Sequence, residues 1–384
     1  MESLPQEIVQ NILSRLPIPS LVQSKLVCRA WRSLIRSLIH DPSFILQSNH
    51  PIQSQLYLGD FSSQNHGNYN MVTMKLPRPP LSRFTLASSC NGLLCLLDYH
   101  RSFEPCIYNP FTANFMELPH LTRHHNFQVL GFGFHPITKE YKLVEISYTI
   151  YTCGGGSFHR VDPSPFKSDV HILTLGSSTW RHLGTVPYHV HSQKKSQARI
   201  NGKLLHWVSW MKNRRNTIII SFDMETEKFQ EIPLPDCCSS SNNPTEGFDQ
   251  VVVIRGCLSA VRYGNDSEEL EIWVMKEYGV KESWSKEFRI GAYVPKILLE
   301  QDESEFLIYS RSYLHRKQTR VMCMLRSGEM LLEYRNKALV VYDPHCKTFK
   351  HVQLTFEGIP TFFIIDVHVA NLNWIDTLVD MAEN

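Results

Sequence analysis

One spacing recurs along most of this chain and narrows what it can fold into. A turn-forming residue is followed by a hydroxyl residue three positions later and by an aromatic three beyond that. Asn109–Thr112–Phe115 is the first copy, and His135–Thr138–Tyr141, Thr174–Ser177–Trp180 and Asp223–Thr226–Phe229 keep the interval. Asp343–Cys346–Phe349 keeps it with a thiol for the hydroxyl, and Trp273-Val274-Met275 to Trp284 is a looser version. The spacing predicts a β-hairpin: a strand, a turn, and a return strand whose aromatic packs on the sheet. A second turn and an apolar strand often come first, at Asn91-Gly92, Asn201-Gly202, Arg255-Gly256 and Ser327-Gly328. Each repeat is then a small antiparallel meander. About 320 residues at about 50 per unit give roughly six units, the period of propeller blades. A many-stranded β-sandwich uses the same strands but does not explain the period.

Residues 1–46 break this pattern, and the β reading starts only at about residue 55. Ser3 and Gln6 have capping-box spacing, with Pro5 in the first turn. Ile8, Ile12, Leu13 and Leu16 follow at helical intervals, and Pro17 ends the segment. A second helix is predicted through Leu21, Val22, Leu26 and Val27. A third carries Ala30, Trp31, Leu34, Ile35 and Leu38 opposite Arg29, Arg32 and Arg36, up to Asp41-Pro42. Three helices in about 40 residues bury too little to stand alone. Either they cap the rest of the chain, or another protein completes their apolar faces.

Composition excludes several classes. With 39 Lys+Arg against 37 Asp+Glu, the net charge of +2 does not suit a general nucleic-acid binder. Hydrophobic residues at 42% and charged residues at 20% are enough for a sizeable core, which rules out a disordered chain. No apolar run is long enough to span a bilayer, and the start lacks signal-peptide character. Ten Cys without a C-x-x-C pair read as free thiols in a reducing compartment. The expectation is a soluble protein of the cytoplasm, the nucleus or both.

The helical block carries a resemblance. Leu4-Pro5-Gln6-Glu7-Ile8, Ile12-Leu13-Ser14-Arg15-Leu16-Pro17, Ser20-Leu21, Val27-Cys28-Arg29-Ala30-Trp31 and Leu34-Ile35 together resemble an F-box. The later stretches are similar to the plant F-box-associated domain, a relative of the kelch propeller. They include Ser89-Cys90-Asn91-Gly92-Leu93-Leu94-Cys95, Asn109-Pro110, Gly131-Phe132-Gly133-Phe134, Tyr141-Lys142-Leu143-Val144, Val170-His171-Ile172, Phe222-Asp223-Met224 and Ile272-Trp273-Val274-Met275. The double-glycine signature of a true kelch repeat is missing. The resemblance implies an α+β multidomain chain: a three-helix F-box over 1–46, then an all-β propeller of about six blades over 47–384. It further implies docking on a Skp-type adaptor, and through it on a cullin and a RING subunit, with the propeller recruiting an unidentified target protein. The implied adaptor contacts are Leu4, Pro5, Ile8, Ile12, Leu13, Leu16, Pro17, Leu21, Val27 and Trp31. Some of these must instead hold the helices together, and the sequence does not sort the two sets.

No catalytic, metal or cofactor motif stands out. H-E-x-x-H, G-x-S-x-G and Walker loops are missing from the sequence. Gly131-Phe132-Gly133 reads as sheet packing, and Gly154-Gly155-Gly156 lies in a stretch rich in Gly, Pro and Ser. His182, His189 and His191, like His124-His125, lack a carboxylate or Cys at metal-ligand spacing. Asp223 and Asp343 share a repeat position, which marks them as turn formers, while Asp366 has no assignable partner. A propeller enzyme acting on a glycan or small molecule is the alternative from another class; a non-degradative F-box scaffold is a third. Basic loops at Lys194–Arg199, Lys212–Arg215 and Arg311–Arg320 stand against an acidic stretch at Asp266–Glu271. Solvated loop charge is the plain reading. The sharper one is that Arg214, Arg215, Arg316 and Lys317 grip an acidic or phosphorylated target.

Overall fold

Two kinds of turn, each set by its own residues, build the sheets. The computed structural model describes residues 5–13, 15–16, 24, 30–31, 34, 43–49, 54–65, 68–122, 127–135, 137–148, 167–190, 198–200, 204–211, 214–235, 247–263, 269–299, 319–355 and 363–368. They fall in two units: Met1–Leu118 with Leu325–Ser327 and Val352–Asn384, and Pro119–Met324 with Gly328–His351.

In the first unit, β1 (Ser43–Asn49), β2 (Ser54–Asn65) and β3 (Asn68–Lys75) run antiparallel in that order. The strand Phe363–His368 joins the free side of β1, with Phe44 opposite Val367 and Leu46 opposite Ile365. Residues Val352–Thr355 lie parallel to Tyr69–Val72 of β3. A second array holds β4 (Phe84–Cys90), β5 (Leu93–Asp98), β6 (Glu104–Tyr108) and β7 (Phe115–Glu117) in sequence order. Strand structure thus starts at Ser43, well before residue 55. The reason is that Phe44-Ile45-Leu46 is buried without a break, and a short continuous apolar run does not declare its type by periodicity.

Among the described residues, the second unit holds four arrays. β8 (Phe127–His135), β9 (Glu140–Tyr148), β10 (Ser168–Thr174) and β11 (Arg181–Val186) form the first. In the next, β12 (Tyr188–Val190) and β13 (Ala198–Ile200) share one edge of β14 (Leu204–Met211), followed by β15 (Arg214–Asp223) and β16 (Lys228–Ile232). The third is β17 (Gln250–Ile254), β18 (Cys257–Tyr263), β19 (Leu270–Met275) and β20 (Trp284–Ile290). The fourth is β21 (Thr319–Met324), β22 (Met330–Tyr334), β23 (Ala338–Asp343) and β24 (Thr348–Thr355), the last paired to β23 at Thr348–His351.

X-Gly pairs join first strands to second. Asn91 and Gly92 have φ of 47° and 90°, and Arg255 and Gly256 have 50° and 77°. Two successive positive φ values suit a tight hairpin, and glycine takes the second without strain. Third strands meet fourth strands through a side-chain-braced turn. Asn109 Oδ1 accepts the Phe111 and Thr112 N–H groups at 3.0 and 3.3 Å. Asp343 Oδ1 accepts those of His345 and Cys346 at 2.9 and 3.1 Å, and Asp223 Oδ1 accepts that of Glu225 at 2.8 Å. Asp223 and Asp343 are therefore turn formers, as their shared repeat position implies. The copy at His135 is different. His135 Nδ1 braces Ile137 and Thr138 in the same way, at 3.3 and 3.2 Å, but it joins β8 to β9, the first hairpin of its array. One spacing marks two hairpins, which is why the intervals along the chain are uneven.

Buried cores line the arrays, and repeated positions repeat their contacts. Trp180 Nε1 donates to the Pro119 carbonyl and Trp284 Nε1 to the Pro233 carbonyl, both at 2.8 Å. Gln250 donates to the Val321 carbonyl at 2.6 Å and accepts the Val321 N–H at 3.0 Å. In the first unit Gln47 does the same for β4, donating to Phe84 O at 2.7 Å and accepting from Leu86 N at 2.6 Å. These glutamines give buried edge-strand backbone groups a partner, joined at the Phe84 carbonyl by Ser54 Oγ at 3.0 Å. Gly131 and Gly133 are packing residues, as expected. A Cβ on Gly131 would lie 2.6 Å from the Trp207 ring, and one on Gly133 2.6 Å from Met224 Cε.

Candidate functional site

The helix α1 (Gln6–Leu13) begins where Pro5 sits outside the first turn, its carbonyl accepting the Ile8 and Val9 N–H groups at 3.0 and 3.2 Å. Proline suits this place because it has no N–H to leave unpaired. The helix has two apolar faces. Val9 and Leu13, four apart, are 7% and 0% exposed, and they enter a core made of Ile45, Leu56, Leu58, Phe84, Leu86 and Leu96 among others. Leu16, Trp31 and Leu34 pack against the same core. Ile8 and Ile12, also four apart, are 46% and 47% exposed, and Pro5 is exposed beside them. Pro5, Ile8 and Ile12 thus form a solvent-facing apolar stripe at helical spacing.

This geometry sorts the residues that the sequence left together. Of the implied contacts, Pro5, Ile8 and Ile12 face outward, Leu13 is enclosed, and Leu16 and Trp31 are partly buried against the core. Leu4, Pro17, Leu21 and Val27, like Ser3 of the capping box, lie outside the described residues. Of the second and third helices, Ser24, Ala30, Trp31 and Leu34 are helical, and the rest lies outside the description. Val9 was missing from the sequence reading. Its interval to Leu13 was available, but so was that of Ile8 to Ile12, and both pairs have the same chemistry.

The loop charges are placed only in part. Arg214 and Arg215 open β15, and their side chains lie outside the description, as do Arg316 and Lys317. Where the acidic stretch is described, it is already paired. Glu271 accepts from Arg262 Nε and Lys286 Nζ, both at 2.8 Å, and Glu269 pairs with Arg289. Burial alone would raise the Glu271 carboxyl, but the hydrogen bonds and charges of Lys286 and Arg262 hold it below the usual carboxylate range. Arg320, at the end of the third basic loop, pairs with buried Glu333 at 3.3 Å.

His182 and His189 make packing and polar contacts. His189 stacks on Tyr148 with ring centroids 4.6 Å apart, and His182 lies 4.8 Å from His171 and 3.8 Å from Asp169. His191, His124 and His125 lie outside the described residues. The fully buried His206 was not singled out by sequence. Its Nδ1 meets the Ala198 carbonyl at 3.3 Å and its Nε2 the Tyr278 hydroxyl at 2.8 Å. A carbonyl only accepts, so Nδ1 carries the proton and Nε2 accepts from Tyr278. Burial lowers the His206 pKa to about 4. Among the described residues no group of three or more His, Cys, Asp or Glu could hold a metal, and no helix is long and apolar enough to cross a membrane.

The comparisons with known proteins now decide the family. Residues 1–41 match the F-box domain, and residues 43–375 match the F-box associated beta propeller domain. The chain belongs to the F-box proteins with an F-box associated β-propeller domain. This F-box protein is 40% identical over 405 residues to F-box protein At3g07870 of Arabidopsis thaliana, covering 99% of this chain and 94% of that protein. It is 29% identical to F-box/kelch-repeat protein At3g23880 of the same plant, over 74% of this chain and 78% of that one. It is 24% identical to the Arabidopsis F-box protein CPR1, over 97% and 89%. The fold is an F-box followed by an all-β, propeller-like domain, and α1 with its two faces belongs to the F-box of this protein.

Proposed function

We propose that this F-box protein is the substrate-recognition subunit of an SCF-type ubiquitin ligase and supplies no catalytic residue of its own. The observation that carries the reading is the outward stripe Pro5, Ile8 and Ile12, on a helix whose other face is already buried. An exposed apolar stripe at helical spacing suits a partner groove. A Skp-type adaptor would take it, and through the adaptor a cullin and a RING subunit. Leu4, Pro17, Leu21 and Val27 stay in the proposed contact set, and Leu13 is assigned to the core. The same proposal covers a three-helix F-box over 1–46 and a recruiting propeller over 47–384. Among the described residues, two arrays in one unit and four in the other support about six blades. The mechanism is proximity: a held target meets the charged conjugating enzyme at raised effective concentration. Arg214, Arg215, Arg316 and Lys317 are proposed to read an acidic or phosphorylated target in the cytoplasm or nucleus.

The test uses the full chain and a purified Skp-type adaptor. Ile8→Asp with Ile12→Asp is expected to abolish capture while the melting temperature stays unchanged. Equal capture by this variant and the wild type would overturn the reading.

A further inference from the structure

Two exposed aromatics of the first unit stand on a loop whose backbone does not suit them. Residues 99–103 join Asp98, the end of β5, to Glu104, the start of β6. The Asp98 carbonyl accepts the Phe103 N–H at 2.8 Å and closes the loop. Ser102 and Phe103 both have positive φ, 54° and 60°. Residues other than glycine rarely take this conformation, and a bulky one is an outlier. Elsewhere in the chain it is taken by residues such as Asn91, Lys139, Glu227 and Lys347, and among the described residues Phe103 is the only aromatic in it. Phe103 is also 43% exposed. Tyr99 is exposed beside it, the two rings meeting edge-on with centroids 4.9 Å apart. Folding gains little from an aromatic that is both strained and open to water, and strain of this kind gathers at functional sites.

We propose that Arg83, Tyr99 and Phe103 form a docking surface for a short acidic segment of the recruited target, one with a carboxylate beside a large apolar side chain. This rests on the reading that the protein recruits a target protein. The surrounding charges select the occupant. Arg83 stands just before β4, and its carbonyl accepts the Tyr99 N–H at 3.2 Å. Its guanidinium lies over the Tyr99 ring, 5.4 Å from the centroid. Among the described residues no carboxylate pairs with it. Arg101 on the same loop is the contrast, since it pairs with Glu117 at 2.8 Å and with Glu104 at 3.5 Å. One cation is neutralised within the chain, and the other is open to a ligand. A ring under a guanidinium leaves its N–H edge free to grip a carboxylate. The two aromatic rings would cover the neighbouring apolar side chain, as buried anchors do at protein interfaces. Glu104 and Glu117 repel a run of phosphates, so the occupant is a protein segment and not a nucleic acid.

The experiment selects a displayed library of random short peptides on the full-length chain. The expected motif is Asp or Glu beside Phe, Trp or Leu. A synthetic peptide of that motif then titrates the variants. Phe103→Asn should weaken it about tenfold, as loss of an aromatic anchor does. Its melting temperature should not fall, because asparagine tolerates a positive φ. Phe103→Tyr should retain binding. Arg83→Gln should weaken the peptide about fivefold, and should have no effect on the peptide with Asn or Gln in place of its acid. Selection of no such motif, or binding unchanged in Phe103→Asn or in Arg83→Gln, overturns the surface. So does a clearly lower melting temperature in Phe103→Asn, which would make Phe103 a folding residue. Displacement of the peptide by a single-stranded oligonucleotide overturns it too, in favour of a nucleic-acid site. Capture of a purified Skp-type adaptor by the same chain keeps the two readings apart. With capture intact and no peptide bound, the surface fails alone; with peptide bound and no capture, the ligase reading fails alone.

Discussion

In the sheets, like residues at like positions do the same work; in α1, like residues side by side do opposite work. Trp180 and Trp284 each donate to a proline carbonyl, Asp223 and Asp343 each brace a turn, and Gln47 and Gln250 each serve a neighbouring strand. Ile12 and Leu13 are adjacent and equally apolar, yet one is 47% exposed and the other enclosed. Repetition lets one position be read several times against the same geometry. A helix that occurs once offers no such check, and the division between its two faces comes from what it packs against.

The contrast is sharpest at that pair. Leu13→Ser should cost about 2–5 kcal/mol in the stability of the first unit, the range for truncating a buried leucine. Ile12→Ser should stay within about 0.5 kcal/mol, as at exposed sites. Denaturant unfolding of both variants checks this, and equal costs would end the distinction between the faces.

The next largest effect belongs to His206, whose buried contact is not one of these repeated positions. Its folded pKa of about 4 lies below the ordinary 6.5, so the unfolded chain binds the extra proton between those values. Stability should fall as pH drops from about 6.5 to about 4 and gain no further slope from this group below that, a loss on the order of 3 kcal/mol. His206→Phe should flatten that window in a pH series of melts.

The repeated positions should then behave as pairs. Gln47→Leu removes one hydrogen bond each from the Leu86 N–H and from the Phe84 carbonyl, which also accepts from Ser54 Oγ at 3.0 Å, and Gln250→Leu removes one each from the Val321 N–H and carbonyl, at about 1–3 kcal/mol. Similar losses are expected in the two units, and a large difference would break the idea of a shared role. Smallest are Asp223→Ala and Asp343→Ala, which lose only turn hydrogen bonds close to solvent. Parallel small shifts in melting temperature are the expected result.

Much of the fold was legible because its signals are local. Asn91-Gly92 and Arg255-Gly256 mark tight turns by residue type, and Asp343 with Phe349 marks a hairpin by spacing. What stayed hidden depends on distant partners. The spacing at His135 reads the same whether it joins first or third strands, and only pairing with Glu140–Tyr148 settles which. Gln47 ends one apolar run and Gln250 begins another, with nothing nearby to show that β4 and β21 need them. The candidate site was legible as a segment but not as a surface, because burial of Val9 is decided by Ile45 and Phe84 and not by its own neighbours.

One pairing also sets an order of events. Ser43 lies opposite His368, and Phe44 opposite Val367, so almost the whole chain separates the two sides of that ladder. During synthesis β1 emerges early and waits with one edge open until the strand Phe363–His368 leaves the ribosome. Contacts so distant in sequence form slowly, and unpaired edges invite association with other chains. The bed on which α1 rests includes Ile45 of that same β1. Truncating the protein near its C-terminus should therefore be felt at its N-terminus, as a nascent chain held for longer by chaperones.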